Sequence, residues 1–144
     1  MSMQKKLQVK IVLDAWALLA LIFKEEPAAK KVRDIFDQQS ASKSPIYISW
    51  INLGEVFYNI ARKKGLSAAN EVLNDINMLP IRSQEPSKAD ILAAATIKSK
   101  HKLSYADAFA VSLAQKIDGV IFTGDPEIIL LKNFVKVEKL SRFP

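Results

Sequence analysis

Two kinds of apolar pattern alternate along this chain. Short runs rich in β-branched residues predict strands: VKIVL (9–13), IYIS (46–49), LPIR (79–82), VIFT (120–123) and VKVEKL (135–140). Between them, apolar residues recur every three or four positions and predict helices. AWALLALIF (15–23) reads as a buried helix. A second begins at Glu26-Pro27, places Val32, Ile35 and Phe36 on one face, and breaks at Ser44-Pro45. A third runs through INLGEVFYNIARKK (51–64) and stops at Gly65, and a fourth is expected to be capped by Ser67 and to reach Met78. Further helices are expected over 87–100 and 104–116, with a turn at Asp118-Gly119 and a short helix from Pro126. Ser-x-x-Asp opens two of these, at Ser87/Asp90 and Ser104/Asp107. This is the capping-box pattern, in which the serine caps the helix and the acid reaches back. Alternating strands and helices predict a parallel sheet covered on both faces, with ligands beyond the carboxyl ends of its strands.

Composition narrows this picture. The 144 residues, 49% hydrophobic and 25% charged, suit one domain over 1–144 with a sizeable core. The absence of cysteine excludes a disulfide framework and a thiolate metal site. The single histidine, His101, lies in KSKHK, where a solvated helix end is expected, and an ordinary zinc site is hard to build. At the N-terminus, MSMQKK before an apolar run has the look of a signal peptide. Lys10 and Asp14 interrupt that run, and 15–23 is too short to span a bilayer, so a cytoplasmic protein without membrane attachment is expected. The net charge of +6 gathers at Lys30/Lys31/Arg33, Arg62/Lys63/Lys64 and Lys98/Lys100/Lys102. Each cluster alone is an ordinary solvated helix face; together they point to a polyanionic partner.

Four carboxylates fall where such a sheet binds ligands. Asp14 follows the first strand, Asp125 follows VIFT, and Glu55 and Asp107 lie in the opening turns of helices. Each has a simpler explanation. Asp14 and Asp125 are good N-caps, the latter with proline at N1. Asp107 fits a capping box, and Glu55 fits an exposed helix surface, although Val56, Phe57 and Ile60 beside it are apolar. Those explanations leave the combination unaccounted for. Acids converging at one edge need a counter-charge or raised pKa values. A hard divalent cation with oxygen ligands supplies the charge, and helix N-termini help to tolerate the carboxylates.

Four stretches, VLDAWALLALIF, NLGEVFYNIARKKG, LSYADAFAVSLAQK and GVIFTGDPEI, resemble in order and spacing the successive motifs of PIN-domain ribonucleases. The likeness covers about residues 9–140 and is closest to the VapC-type toxins of toxin–antitoxin pairs. It implies an α/β fold, a three-layer α/β/α sandwich around a mainly parallel sheet. By the same likeness Asp14 and Asp107 are the main ligands of Mg²⁺ or Mn²⁺, and Asp125 completes the metal site. Glu55 binds the metal or its water, and Thr123 lines the pocket. The implied reaction is hydrolysis of phosphodiester bonds in structured RNA such as tRNA. A homodimer and a small antitoxin that blocks the site are implied as well. The apolar residues of Trp50–Tyr58 and of the helix after Ser67, more than one small core needs, agree with a dimer. One position departs from the family, which often has Ser, Thr or Asn two residues after the first aspartate; here it is Trp16.

Three other classes fit less well. A haloacid-dehalogenase-type phosphatase needs Asp-x-Asp where this chain has Asp14-Ala15-Trp16, and a receiver domain needs paired acids at the first strand. A PIN-like module that only binds RNA or protein would not need its acids intact.

Overall fold

A computed structural model describes residues 9–144; the signal-like MSMQKK stretch lies outside them. Five strands, β1 (Ile11–Leu13), β2 (Ile46–Ser49), β3 (Ile81–Gln84), β4 (Val120–Thr123) and β5 (Val137–Lys139), form one sheet. Their order is β3-β2-β1-β4-β5, and every neighbouring pair is parallel. β1 is central, with Ile11 in register with Ile46 on one side and Val120 on the other. The chain winds outward from β1 to β3, then crosses back to build β4 and β5. The winding therefore reverses between β1 and β4, and a crevice opens at their carboxyl ends.

Among the described residues seven helices cover the sheet: α1 (Ala15–Ile22), α2 (Ala28–Ser42), α3 (Trp50–Lys64), α4 (Leu66–Asn77), α5 (Lys88–Lys100), α6 (Tyr105–Lys116) and α7 (Pro126–Ile129). Strand alternation divides the core in two. Ile11 and Leu13 of β1 join Ile46, Ile48 and the buried faces of α1–α4. Val12 points the other way, with Ile121 and the buried faces of α5–α7. The result is the three-layer α/β/α sandwich expected, with the sheet parallel throughout.

Most helix starts follow the local chemistry. Asp14, Ser49, Ser87, Ser104 and Asp125 each accept a backbone N–H at the start of α1, α3, α5, α6 and α7. Four expectations shift. Ser67 caps nothing: α4 starts one residue earlier, from Gly65, with no side-chain cap. Gly65 ends α3 and begins α4 in a single residue at φ +91°, ψ 165°, a backbone state open essentially to glycine alone. β3 begins at Ile81 rather than Leu79, because Pro80 has no N–H and the Ile81 N–H turns back to the Leu79 carbonyl at 2.7 Å. α2 stops before Ser44-Pro45 through Lys43, which is left-handed at φ 58°. His101 is half-buried, its ring 4.6 Å from that of Phe134, not simply solvated. Among the described residues no helix is long and apolar enough to cross a membrane.

Nothing lies within 4 Å of where a Gly65 Cβ would sit, so the backbone alone decides the cost of a substitution there. Gly65→Ala should lower stability by about 1–3 kcal/mol in urea unfolding while leaving the fold unchanged.

Candidate metal centre

The crevice between β1 and β4 is built from chain ends. Asp14 leaves β1 and caps α1, its Oδ1 accepting the Ala17 N–H at 2.9 Å. The other carboxylate oxygen accepts a hydrogen bond from the Thr123 hydroxyl at the end of β4. Thr123 Oγ1 in turn accepts the Asp125 N–H at 2.9 Å. Asp125 caps α7 by accepting the Glu127 N–H at 2.8 Å. One buried hydroxyl thus ties the first acid to the turn that carries the last. Asp14 and Thr123 have no exposure to solvent.

Asp107 behaves differently from its sequence twin. At Ser87/Asp90 the capping box is complete: the serine accepts the Asp90 N–H, and Asp90 Oδ2 accepts the Ser87 N–H at 2.9 Å. At Ser104/Asp107 only the first half forms, with the Asp107 N–H donating to Ser104 Oγ at 3.0 Å. The Asp107 carboxylate faces Asp125 instead, whose charge helps to raise its pKa. Oxygens of Asp107, Asp125 and Glu127 all lie within 4.8 Å of one another. Glu127 did not stand out in the sequence. Its position two residues after Asp125, in the first turn of a helix, was the available signal.

Glu55 reaches the crevice from α3. It accepts a hydrogen bond from Asn52 Nδ2 at 3.0 Å, and the same nitrogen donates to the Ala106 carbonyl at 3.1 Å, joining α3 to α6. Asn52 is fully buried, and its Oδ1 has no hydrogen-bond partner. The i, i+3 spacing of Asn52 and Glu55 puts both on one helix face.

The electrostatics are those of acids without a balancing cation. Burial pushes the Asp14 carboxyl up to about 7, and the Asp125 and Glu55 charges push the same way, against the Thr123 and Ala17 hydrogen bonds. Burial raises Asp107 as well, helped by the charges of Asp125 and Asp14. Burial, then Asp125, raises Glu55. The Asp125 charge thus raises each of the other three predicted acids, and Asp14 also feels Glu55 while Asp107 also feels Asp14. No ion pair among the described residues involves any of them. An all-oxygen donor set with no ion-pair partner among the described residues suits a hard divalent cation. Asp107, Asp125 and Glu127 form one close group, and Asp14, held by Thr123, is near enough for its charge to raise Asp107.

The basic clusters divide. Lys30, Lys31 and Arg33 pair with Asp34, Glu138 and Glu26. Arg62 lies over Tyr58, and Lys63 and Lys64 over Phe23. Neither these three nor Lys98, Lys100 and Lys102 take part in an ion pair among the described residues.

Comparison with known proteins places this arrangement in context. The PIN domain family profile matches residues 11–133. No curated protein sequence matches. Among solved structures, VapBC2 from Rickettsia felis, bound to a DNA fragment from its promoter, is similar with a TM-score of 0.68 at 14% identity, over 91% of this chain and 98% of that one. VapC20 from Mycobacterium tuberculosis, a sarcin–ricin loop cleaving toxin, matches with a TM-score of 0.66 at 19% identity, over 84% and 94%. A toxin–antitoxin complex from Klebsiella pneumoniae matches with a TM-score of 0.64 at 15% identity, over 93% and 100%. At these identities the likeness is one of fold.

A carboxyl whose pKa is higher folded than unfolded keeps its proton longer in the native state. Its stabilising effect is complete below the unfolded value, 3.8 for Asp14, and is lost as pH rises through about 7. The metal-free protein should therefore lose stability between pH 5 and pH 8, about 2–3 kcal/mol from Asp14 and a further share from Asp107, which is raised to about 8 but is less deeply buried. Chemical unfolding in EDTA across that range measures it. Asp14→Asn, which retains the cap acceptor, should make the profile shallower and leave the part due to Asp107.

Proposed function

The chain belongs to the PIN-domain family, and we propose that it is a divalent-metal-dependent endoribonuclease, the toxin of a type II toxin–antitoxin pair acting in the cytoplasm. The observation that carries this reading is the cluster of carboxylates at the β1/β4 crevice, which has no ion-pair partner among the described residues. Asp107, Asp125 and Asp14 would hold the cation, with Glu127 within reach of the first two. When bound, Mg²⁺ or Mn²⁺ supplies positive charge for the carboxylates and for a phosphodiester, and it makes water more acidic. The chain's own groups do the rest. Thr123 fixes the orientation of Asp14 through its hydroxyl. Asn52 occupies Glu55 Oε1, leaving Oε2 to accept a proton from the attacking water. The exposed cations of 62–64 and 98–102, which make no ion pair among the described residues, are suited to the flanking phosphates.

An RNA substrate is supported by the family and by the sarcin–ricin loop cleavage ascribed to VapC20. Structured RNA, tRNA included, is the class proposed. An antitoxin partner is supported by the fold shared with a toxin–antitoxin complex. A homodimer is proposed through the exposed apolar side chains Trp50, Ile51 and Tyr58 of α3 and Leu66 of α4. Sedimentation at micromolar concentration should give twice the mass of the chain, and a monomer there argues against the dimer.

Cleavage of a structured RNA by the purified protein should need Mn²⁺ or Mg²⁺ and stop in EDTA. Asp14→Asn and Asp107→Asn should each lower the rate more than about 100-fold without loss of fold. Asp107→Glu should keep its metal-free melting temperature but lose most cleavage, because the added methylene moves the oxygens out of octahedral geometry. Ser104→Ala should do the reverse, losing about 1 kcal/mol of stability with its cap while staying active. Wild-type cleavage by Asp107→Glu would refute the metal-ligand assignment.

A further inference from the structure

We infer that Trp16 is a positioning residue for Asp125, acting through Gly124; the inference rests on the metal-site reading above. Trp16 is the position at which the sequence leaves the family pattern, and the structure shows what replaces the small polar residue. The indole lies so close over Gly124 that a Cβ built there would collide with ring atoms Cε2, Cζ2 and Cη2. Gly124 is the one residue between Thr123 and Asp125. The turn it belongs to is held from inside by the Asp125 N–H on Thr123 Oγ1 and the Glu127 N–H on Asp125 Oδ1. The indole closes the same turn from outside.

The indole is itself fixed. The Arg142 guanidinium stands 5.3 Å from the ring centroid, and its Nη1 donates to both carboxylate oxygens of Glu25 at 3.1 and 3.2 Å. The C-terminal segment carrying Arg142 is laced in place. The Leu140 N–H donates to the Thr123 carbonyl at 2.8 Å, the Ala28 N–H to Ser141 at 3.0 Å and the Phe143 N–H to Glu26 at 2.8 Å. Trp16 also projects from the turn of α1 that Asp14 caps, so one helix start places the first acid and braces the last. A hydrogen-bonding side chain at 16 would hold such a turn by a polar contact; here packing against a bare Cα does so. Gly124 and Trp16 are thereby one unit: the ring fits only because the side chain is missing.

The test combines amide hydrogen exchange without metal and Mn²⁺ affinity by calorimetry, for the wild type, Trp16→Ala, Trp16→Phe, Gly124→Ala and the Trp16→Ala/Gly124→Ala double variant. Trp16→Ala should speed exchange of the Asp125 and Glu127 amides by about 10-fold and weaken Mn²⁺ binding by about 10-fold or more. Trp16→Phe, which keeps an aromatic ring, should retain most of both. Gly124→Ala should weaken binding because the ring must move, and the double variant should bind better than Gly124→Ala alone. Wild-type Mn²⁺ affinity in Trp16→Ala overturns the inference, whatever the melting temperature. If the wild-type protein binds no Mn²⁺, the metal-site reading fails instead. The metal-free exchange then still judges the bracing, and unchanged protection in Trp16→Ala overturns it.

Discussion

Asp14 has no contact with solvent, and the hydroxyl that touches it comes from a different strand. A carboxylate in that position is costly unless it is hydrogen-bonded, protonated or matched by a cation. The Thr123 hydroxyl and the Ala17 N–H provide the first remedy, yet the carboxyl is still raised to about 7. Much else follows from accommodating this one group. β1 and β4 must be neighbours, their carboxyl ends must be level, and Thr123 must be buried rather than exposed at a strand end. The register that pairs Leu13 with Phe122 brings Asp14, just past β1, level with Thr123, the last residue of β4.

The topology meets that constraint through its winding. Because the chain builds β2 and β3 on one side of β1 and β4 and β5 on the other, the helices after β1 and β4 diverge to opposite faces of the sheet. The crevice they leave is lined by helix starts, where backbone N–H groups are unpaired and the helix dipole favours negative charge. Asp14, Asp107 and Asp125 all stand at such starts. Their structural and proposed chemical roles are compatible, since a capping carboxylate uses part of its acceptor capacity and leaves the rest for another partner.

Glu55 lies further along its helix, the sixth residue of α3, and lacks that help. Asn52 takes its place, bridging Glu55 and the Ala106 carbonyl across the two helices that flank the crevice. This bridge, the Thr123 hydroxyl and the Trp16–Gly124 contact each connect elements far apart in the chain. The site is therefore a property of the assembled sheet edge and of no single motif.

Period and punctuation determined the class of fold: β-branched runs against helical spacing, with serine, aspartate, proline and glycine marking the boundaries. They also put Asp14, Asp107 and Asp125 at strand ends or helix starts, because a caps-and-turns chemistry confined to a few residues is visible locally; Glu55 lies a turn further into its helix. Where two residues compete for one boundary, local chemistry did not decide. Ser67 is a good cap by type, but Gly65 can turn the chain between two helices in one residue, so α4 begins before Ser67 is reached. β3 slides two residues because its hydrogen bonds are set by β2, with Ile46 opposite Ile81. The clearest case is the pair of Ser-x-x-Asp motifs, alike in sequence and opposite in use. Asp90 sits near the surface, pairs with Lys116 and closes its capping box. Asp107 faces Asp125 in a buried crevice and leaves its box half made. Only the tertiary structure could distinguish them, because a carboxylate's choice between its own backbone and a distant partner depends on what the fold brings within reach.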